Sequence, residues 1–169
     1  RSAADLRLVI QMAREVGAAA LERVGTYNLA EDRLWQGALD EALLLARRSL
    51  ALQAAQGESS TKWDRILLAR VLAAKHDIVE LVELVHSFTR DELAPDEETV
   101  IGLIVASSTQ TPAEEWDNLL DQTTDMPGGQ RLELLHLAAT RGQLGEKFRS
   151  TVADLIASNP IWAPRAHEF

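Results

Sequence analysis

The chain has 169 residues, 46% of them hydrophobic and 25% charged, an ordinary globular composition for one domain, or one with two lobes, and ample length for a buried core. Seventeen basic against 26 acidic residues leave a net charge of −9, which argues against a generic binder of nucleic acid or of anionic membranes. With no cysteine there are no disulfides, thiolate zinc sites, iron–sulfur clusters or cysteine nucleophiles, and no run of 18 uncharged apolar residues suits a transmembrane helix. Helical periodicity then runs through nearly the whole chain. From Asp5 to Val24, Leu6, Val9, Ile10, Ala13, Ala20, Leu21 and Val24 recur at spacings of three and four, with Ser2 and Asp5 as a capping box and Gly25 as the stop. Asn28 with Glu31 reads as a second box. It opens a helix of about 28 residues, roughly 40 Å long at about 1.5 Å per residue, with Leu39, Ala42, Leu43, Ala46, Leu50 and Ala54 on one face and a halt at Gly57. The two form an expected helical hairpin over residues 1–57.

After a break at Gly57–Ser60, six shorter helices are expected near 61–75, 77–92, 96–109, 112–124, 129–141 and 143–158. Asp77 can cap its helix, and Thr111-Pro112-Ala113-Glu114 combines a cap, an early proline and an acid. Pro95 fixes φ at another start, and Gly128-Gly129 loosens a joint. Asn159-Pro160 closes the last helix, because the residue before proline avoids the helical region. A tail, residues 163–169, is expected to hang loosely or to dock through Ile161 and Trp162. No stretch alternates with period two, so the predicted class is all-α without a strand.

The short helices repeat. Leu67, Leu68, Val71 and Leu72 correspond to Ile101, Gly102, Val105 and Ala106 at an offset of 34, and these to Leu134, Leu135, Ala138 and Ala139 at 33. Polar corners follow each set, at Lys75-His76-Asp77, Gln110-Thr111-Pro112 and Arg141-Gly142-Gln143. This pattern resembles the tetratricopeptide family of helix–turn–helix arrays. The stretch from Trp63 to Asp96, ending in Pro95-Asp96, also resembles a pentatricopeptide unit. The Trp-Leu-Gly-Tyr signature of a tetratricopeptide first helix is absent, and only Gly102 supplies the small contact residue. The resemblance implies about three stacked repeats over residues 58–162, a short α-solenoid, with an irregular helical bundle as the alternative. The amino-terminal hairpin would cap the stack or supply a homodimer surface.

Charge is uneven along the chain. Residues 77–125 hold thirteen acids and one base, Arg90. Glu80, Glu83, Asp117 and Asp121 are the candidate acidic interaction patch, set against the simpler reading of a solvated face. Lys62, Arg65, Arg70 and Lys75 form the one candidate basic cluster. Both Glu83-Leu84-Val85-His86 and Glu133-Leu134-Leu135-His136 have the Glu-x-x-His spacing of di-iron bundles. Helical phase puts these groups on polar faces, so they read as solvent-facing. His76 and His167 stand at a corner and in the tail without ligand partners. No hydrolase elbow, phosphate loop, zinc motif or calcium loop is present, so no catalytic residue, metal or cofactor is expected. Trp35, Trp63, Trp116 and Trp162 are expected in packing, and an exposed one would be a hot-spot candidate.

These features suggest a non-catalytic helical-repeat scaffold, acidic and cytoplasmic, that binds another protein or the rest of a larger polypeptide. Arg1 where a methionine would stand reads as the edge of an excised piece. The alternatives are pentatricopeptide-like RNA binding, which needs a basic groove, and a helical enzyme or metal bundle.

Overall fold

A computed structural model describes residues 2–56 and 61–169. Its helices are α1 (Ala3–Glu15), α2 (Ala19–Trp35), α3 (Leu39–Ala55), α4 (Lys62–Lys75), α5 (Ile78–His86), α6 (Pro95–Ser108), α7 (Ala113–Asp121), α8 (Gly128–Thr140) and α9 (Glu146–Ser158). Two 3-10 segments, Arg90–Glu92 and Pro160–Glu168, complete the described elements, and no strand occurs among the described residues. The class is all-α. The expected break at Gly57–Ser60, and with it the boundary between 57 and 58, lies outside the described residues. The chain divides into two compact units, residues 1–75 and 76–169.

In the first unit α1 packs on α2, α2 on α3, and α4 on both α2 and α3. Two helices were expected before residue 57, and three are found. Gly17 and Gly37 take φ of +68° and +76°, where an L side chain is strained. Each ends its helix in a Schellman turn. The N–H of Ala18 bonds the Ala13 carbonyl at 2.8 Å, and that of Ala38 bonds the Arg33 carbonyl at 2.9 Å. Asn28 and Glu31 are therefore interior to α2 and cap nothing. Gly25 is interior too, and not a stop. A Cβ there would lie 2.9 Å from Cγ1 of Ile10, so its absence lets α1 approach α2 closely. At the start of α1 the Ser2–Asp5 capping box is present.

Charge locks these helices together. Glu22 in the first turn of α2 accepts from Arg14 of α1 at 2.8 Å and from Arg48 of α3 at 3.1 Å. Glu41 of α3 accepts from Arg7 of α1 at 2.8 Å and pairs with Arg33 of α2 at 3.0 Å. On α4, Asp64 accepts from Arg23 of α2 at 3.1 Å and from the Ser49 hydroxyl of α3. Arg70 donates to Glu31 at 2.8 Å, and Lys75 pairs with Asp40. The Arg14 hydrogen bond, more than any other contact, holds the Glu22 carboxyl below its ordinary range.

In the second unit α6 is central, packing on α5, α7 and α8, while α9 and the Pro160–Glu168 segment cover α8. Leu103, Ile104, Leu120, Leu132, Leu134 and Leu135 are fully buried. Pro95 opens α6 at its first position, and Glu97 accepts from the Ala94 N–H at 2.7 Å. Neither Asp77 nor Thr111 caps through its side chain: α5 has no side-chain cap, and Pro112 stands at the N-cap of α7.

The Asp64 pair makes an asymmetric prediction. The Asp64 side chain is 2% exposed and that of Arg23 is 24% exposed. Arg23→Ala leaves the buried carboxylate with the Ser49 hydroxyl but no counter-charge and should cost about 3 kcal/mol. Asp64→Ala leaves a guanidinium that can turn to water and a Ser49 hydroxyl that can still donate to the Arg23 carbonyl, and should cost about 1 kcal/mol. Urea unfolding followed by circular dichroism measures both, and equal costs would show that Asp64 is not sealed from solvent.

Candidate interaction surface

The two units differ sharply in charge. Residues 1–75 carry eleven basic and nine acidic side chains, a net of +2, whereas residues 76–169 carry six basic and seventeen acidic, a net of −11. The basic cluster expected on α4 does not form an open groove. Arg70 is 3% exposed in its pair with Glu31, and Lys75 is held by Asp40. Lys62 lies 5.0 Å over the ring of Trp63, and Arg65 is half-buried.

Of the expected acidic patch, Glu83 is exposed and Glu80 is half-buried on α5. Asp117 and Asp121, on α7, are bridged by Lys147 of α9 at 3.7 and 3.0 Å. The four do not act alike, because one lysine already serves two of them. Five acids outside the expected patch share the state of Glu83: Asp91, Asp96, Glu114, Glu115 and Asp125 are, like it, exposed and, among the described residues, their carboxylates have no hydrogen-bond or ion-pair partner. Asp96, Glu114 and Glu115 stand in first turns, where each favours its helix dipole by roughly 0.3–1 kcal/mol. That local benefit does not neutralise the unit.

Beside these acids lies an apolar groove. Six of the nine residues of α5 are aliphatic, yet only Leu81 is buried. Leu81, Val82, Val85 and His86 of α5 and Val105 and Ser108 of α6 line a cleft of about 240 Å³. Val82 and Val105 are 40% and 39% exposed. The cleft's polar atoms are largely occupied by their own helix: Ser108 Oγ donates to the Ile104 carbonyl at 3.2 Å and Thr109 Oγ1 to that of Val105 at 3.1 Å.

The two Glu-x-x-His pairs part company. Glu83 and His86 are exposed, as expected, but Glu133 is buried and the side chain of His136 is 12% exposed. The correction comes from the carboxyl-terminal segment, which is docked. Trp162 is fully buried, with its ring 5.7 Å from that of His136. The Arg165 guanidinium lies 5.0 Å over the Trp162 ring and grips Glu168 through two bonds of 3.0 and 2.8 Å. With its proton on Nε2, His136 donates to Glu168 at 2.6 Å. Apolar docking was signalled by Trp162, but nothing in the helical phase of α8 told of the cover. Trp116 is also buried and Trp35 half-buried, while Trp63 is 53% exposed. Leu8 and Met12 on α1 and Val16 at its C-cap are exposed at four-residue spacing. Among the described residues no group of three or more His, Cys, Asp or Glu could hold a metal ion, and no helix is long and apolar enough to cross a membrane.

No protein-family model matches this chain, nor does any curated protein or solved structure.

The Arg165 and His136 bonds hold the Glu168 carboxyl down to about 2, from an ordinary 4.5. A depressed folded-state pKa contributes stability above the unfolded value and loses it as pH falls through the folded one. The gap in Tm between the protein and Glu168→Gln should therefore be full above about pH 5 and close as pH falls towards 2. A gap unchanged between pH 7 and pH 3 would contradict the clasp.

Proposed function

We propose that this chain is a non-catalytic helical scaffold that binds another polypeptide, whether a separate protein or the rest of a longer chain, through its second unit. The observation that carries the reading is the division of charge. In the first unit the acids Glu22, Glu31, Asp40, Glu41 and Asp64 bond bases on other helices. The net −11 of the second unit, by contrast, includes six exposed carboxylates without partners among the described residues. Such a surface steers a basic partner on approach and adds less to final affinity. Of the three helices expected to be equivalent first helices, α6 packs on α8, which supports a repeat there, whereas α4 packs on α2 and α3 within the first unit. RNA binding is disfavoured by the engagement of Arg70 and Lys75 with acids, which leaves the α4 cluster poor in charge for phosphates. A second copy is the other partner with an observation behind it, the exposed Leu8 and Met12 of α1 with Val16 at its C-cap.

Affinity purification at low ionic strength tests the reading. The variant with Glu83, Glu114, Glu115 and Asp125 changed to lysine leaves every described pairing intact. Polypeptides retained by the parent chain should be lost from this variant, and ribonuclease should not release them. Equal retention by both chains, or release by ribonuclease, would refute the proposal.

A further inference from the structure

We infer that the α5–α6 groove receives the apolar edge of a lysine- or arginine-rich amphipathic helix from another protein. This inference rests on the scaffold reading and names the site and chemistry of its partner. Three observations select that occupant. The first is volume: at about 240 Å³ the cleft is below the roughly 300–1,000 Å³ typical of small-molecule sites, and suits a few aliphatic side chains. The second is the character of its wall. Val82, Val85, Leu81 and Val105 are apolar, and the Ser108 and Thr109 hydroxyls already bond their own helix. An extended peptide would press unpaired backbone N–H and C=O groups against this wall, which is costly. A helix brings its backbone already satisfied and offers anchors at spacings of three and four, the helix-in-groove mode.

The third observation is charge. Next to groove residue Val82 and three residues before His86 on α5 stands exposed Glu83, and the unit around it is net −11. An acidic amphipathic helix would be repelled as it approached; a basic one is drawn in and then held by its apolar edge. This also accounts for α5 keeping the groove residue Val82 in water at 40% exposure.

The test uses the full chain and three synthetic 14-residue peptides read by fluorescence anisotropy: a lysine/leucine amphipathic helix, its glutamate/leucine counterpart, and a lysine/serine peptide of equal charge. The lysine/leucine peptide should bind at least tenfold more tightly than the lysine/serine peptide, and the glutamate/leucine peptide should not bind. Val105→Glu separates groove from charge. It makes the surface more acidic, so attraction by charge alone would tighten binding, whereas the groove account expects a loss of at least tenfold. Val82→Glu repeats the test on the opposite wall, with circular dichroism confirming the fold, and Val105→Ser serves should Val105→Glu fail to fold. Binding that is unchanged or tighter in the folded groove variants, yet lost when Glu83, Glu114, Glu115 and Asp125 become lysine, would overturn the groove and leave the scaffold reading standing. Failure of both lysine peptides to bind the parent chain would overturn both.

Discussion

Carboxylates shared between helices are what the first unit depends on. Glu22 and Glu41 each bond arginines from two further helices, drawing α1, α2 and α3 together, and Asp64 ties α4 to α2 and α3. Removing charges from water is costly, and the pairing offsets that cost only where geometry is good and further hydrogen bonds are made. The Ser49 hydroxyl supplies such a bond to Asp64. These pairs also fix which helix faces meet, because each arginine reaches its acid only when the helices are in register. Glu22, Glu31, Asp40, Glu41 and Asp64 are thus engaged in contacts within the first unit, whereas Glu83, Asp91, Asp96, Glu114, Glu115 and Asp125 of the second have no such partner among the described residues.

Helix against strand was legible throughout, since 3.6-residue periodicity is a property of the sequence. The six later helices start within three residues of their expected positions, although the one expected over 77–92 stops at His86 and the one over 112–124 at Asp121. The helix breaks before residue 57 were harder to read. Apolar residues continue at helical spacing across Gly17 and Gly37, so the pattern ran straight through both turns. The usable signal was the Gly-Ala pair at 17–18 and again at 37–38, twenty residues apart, where left-handed glycine closes a helix. Gly25 misled in the opposite direction, because a glycine wanted for close helix approach and one wanted for a turn are the same letter.

Side-chain environment was less legible than fold. Phase places Glu133 and His136 away from the apolar stripe of α8, and they do lie there, but whether water or protein covers that side depends on where residues 160–169 travel. Likewise four basic residues close together on α4 read as a patch, until Glu31 and Asp40 arrive from other helices to engage Arg70 and Lys75. In both cases the deciding partner is distant in the chain. Glu83, Asp91, Asp96, Glu114, Glu115 and Asp125 meet no distant partner among the described residues, and under the proposed function these acids and the aliphatic face of α5 are what another molecule meets.

The partition of carboxylates is the central claim, and carbodiimide labelling of the native chain with peptide mass mapping tests it most directly. Glu83, Asp91, Asp96, Glu114, Glu115 and Asp125 should couple rapidly to an added amine, while Glu22 and Asp64 should resist until the chain is unfolded. Labelling of Glu22 and Asp64 at the rate of the exposed acids would contradict the account.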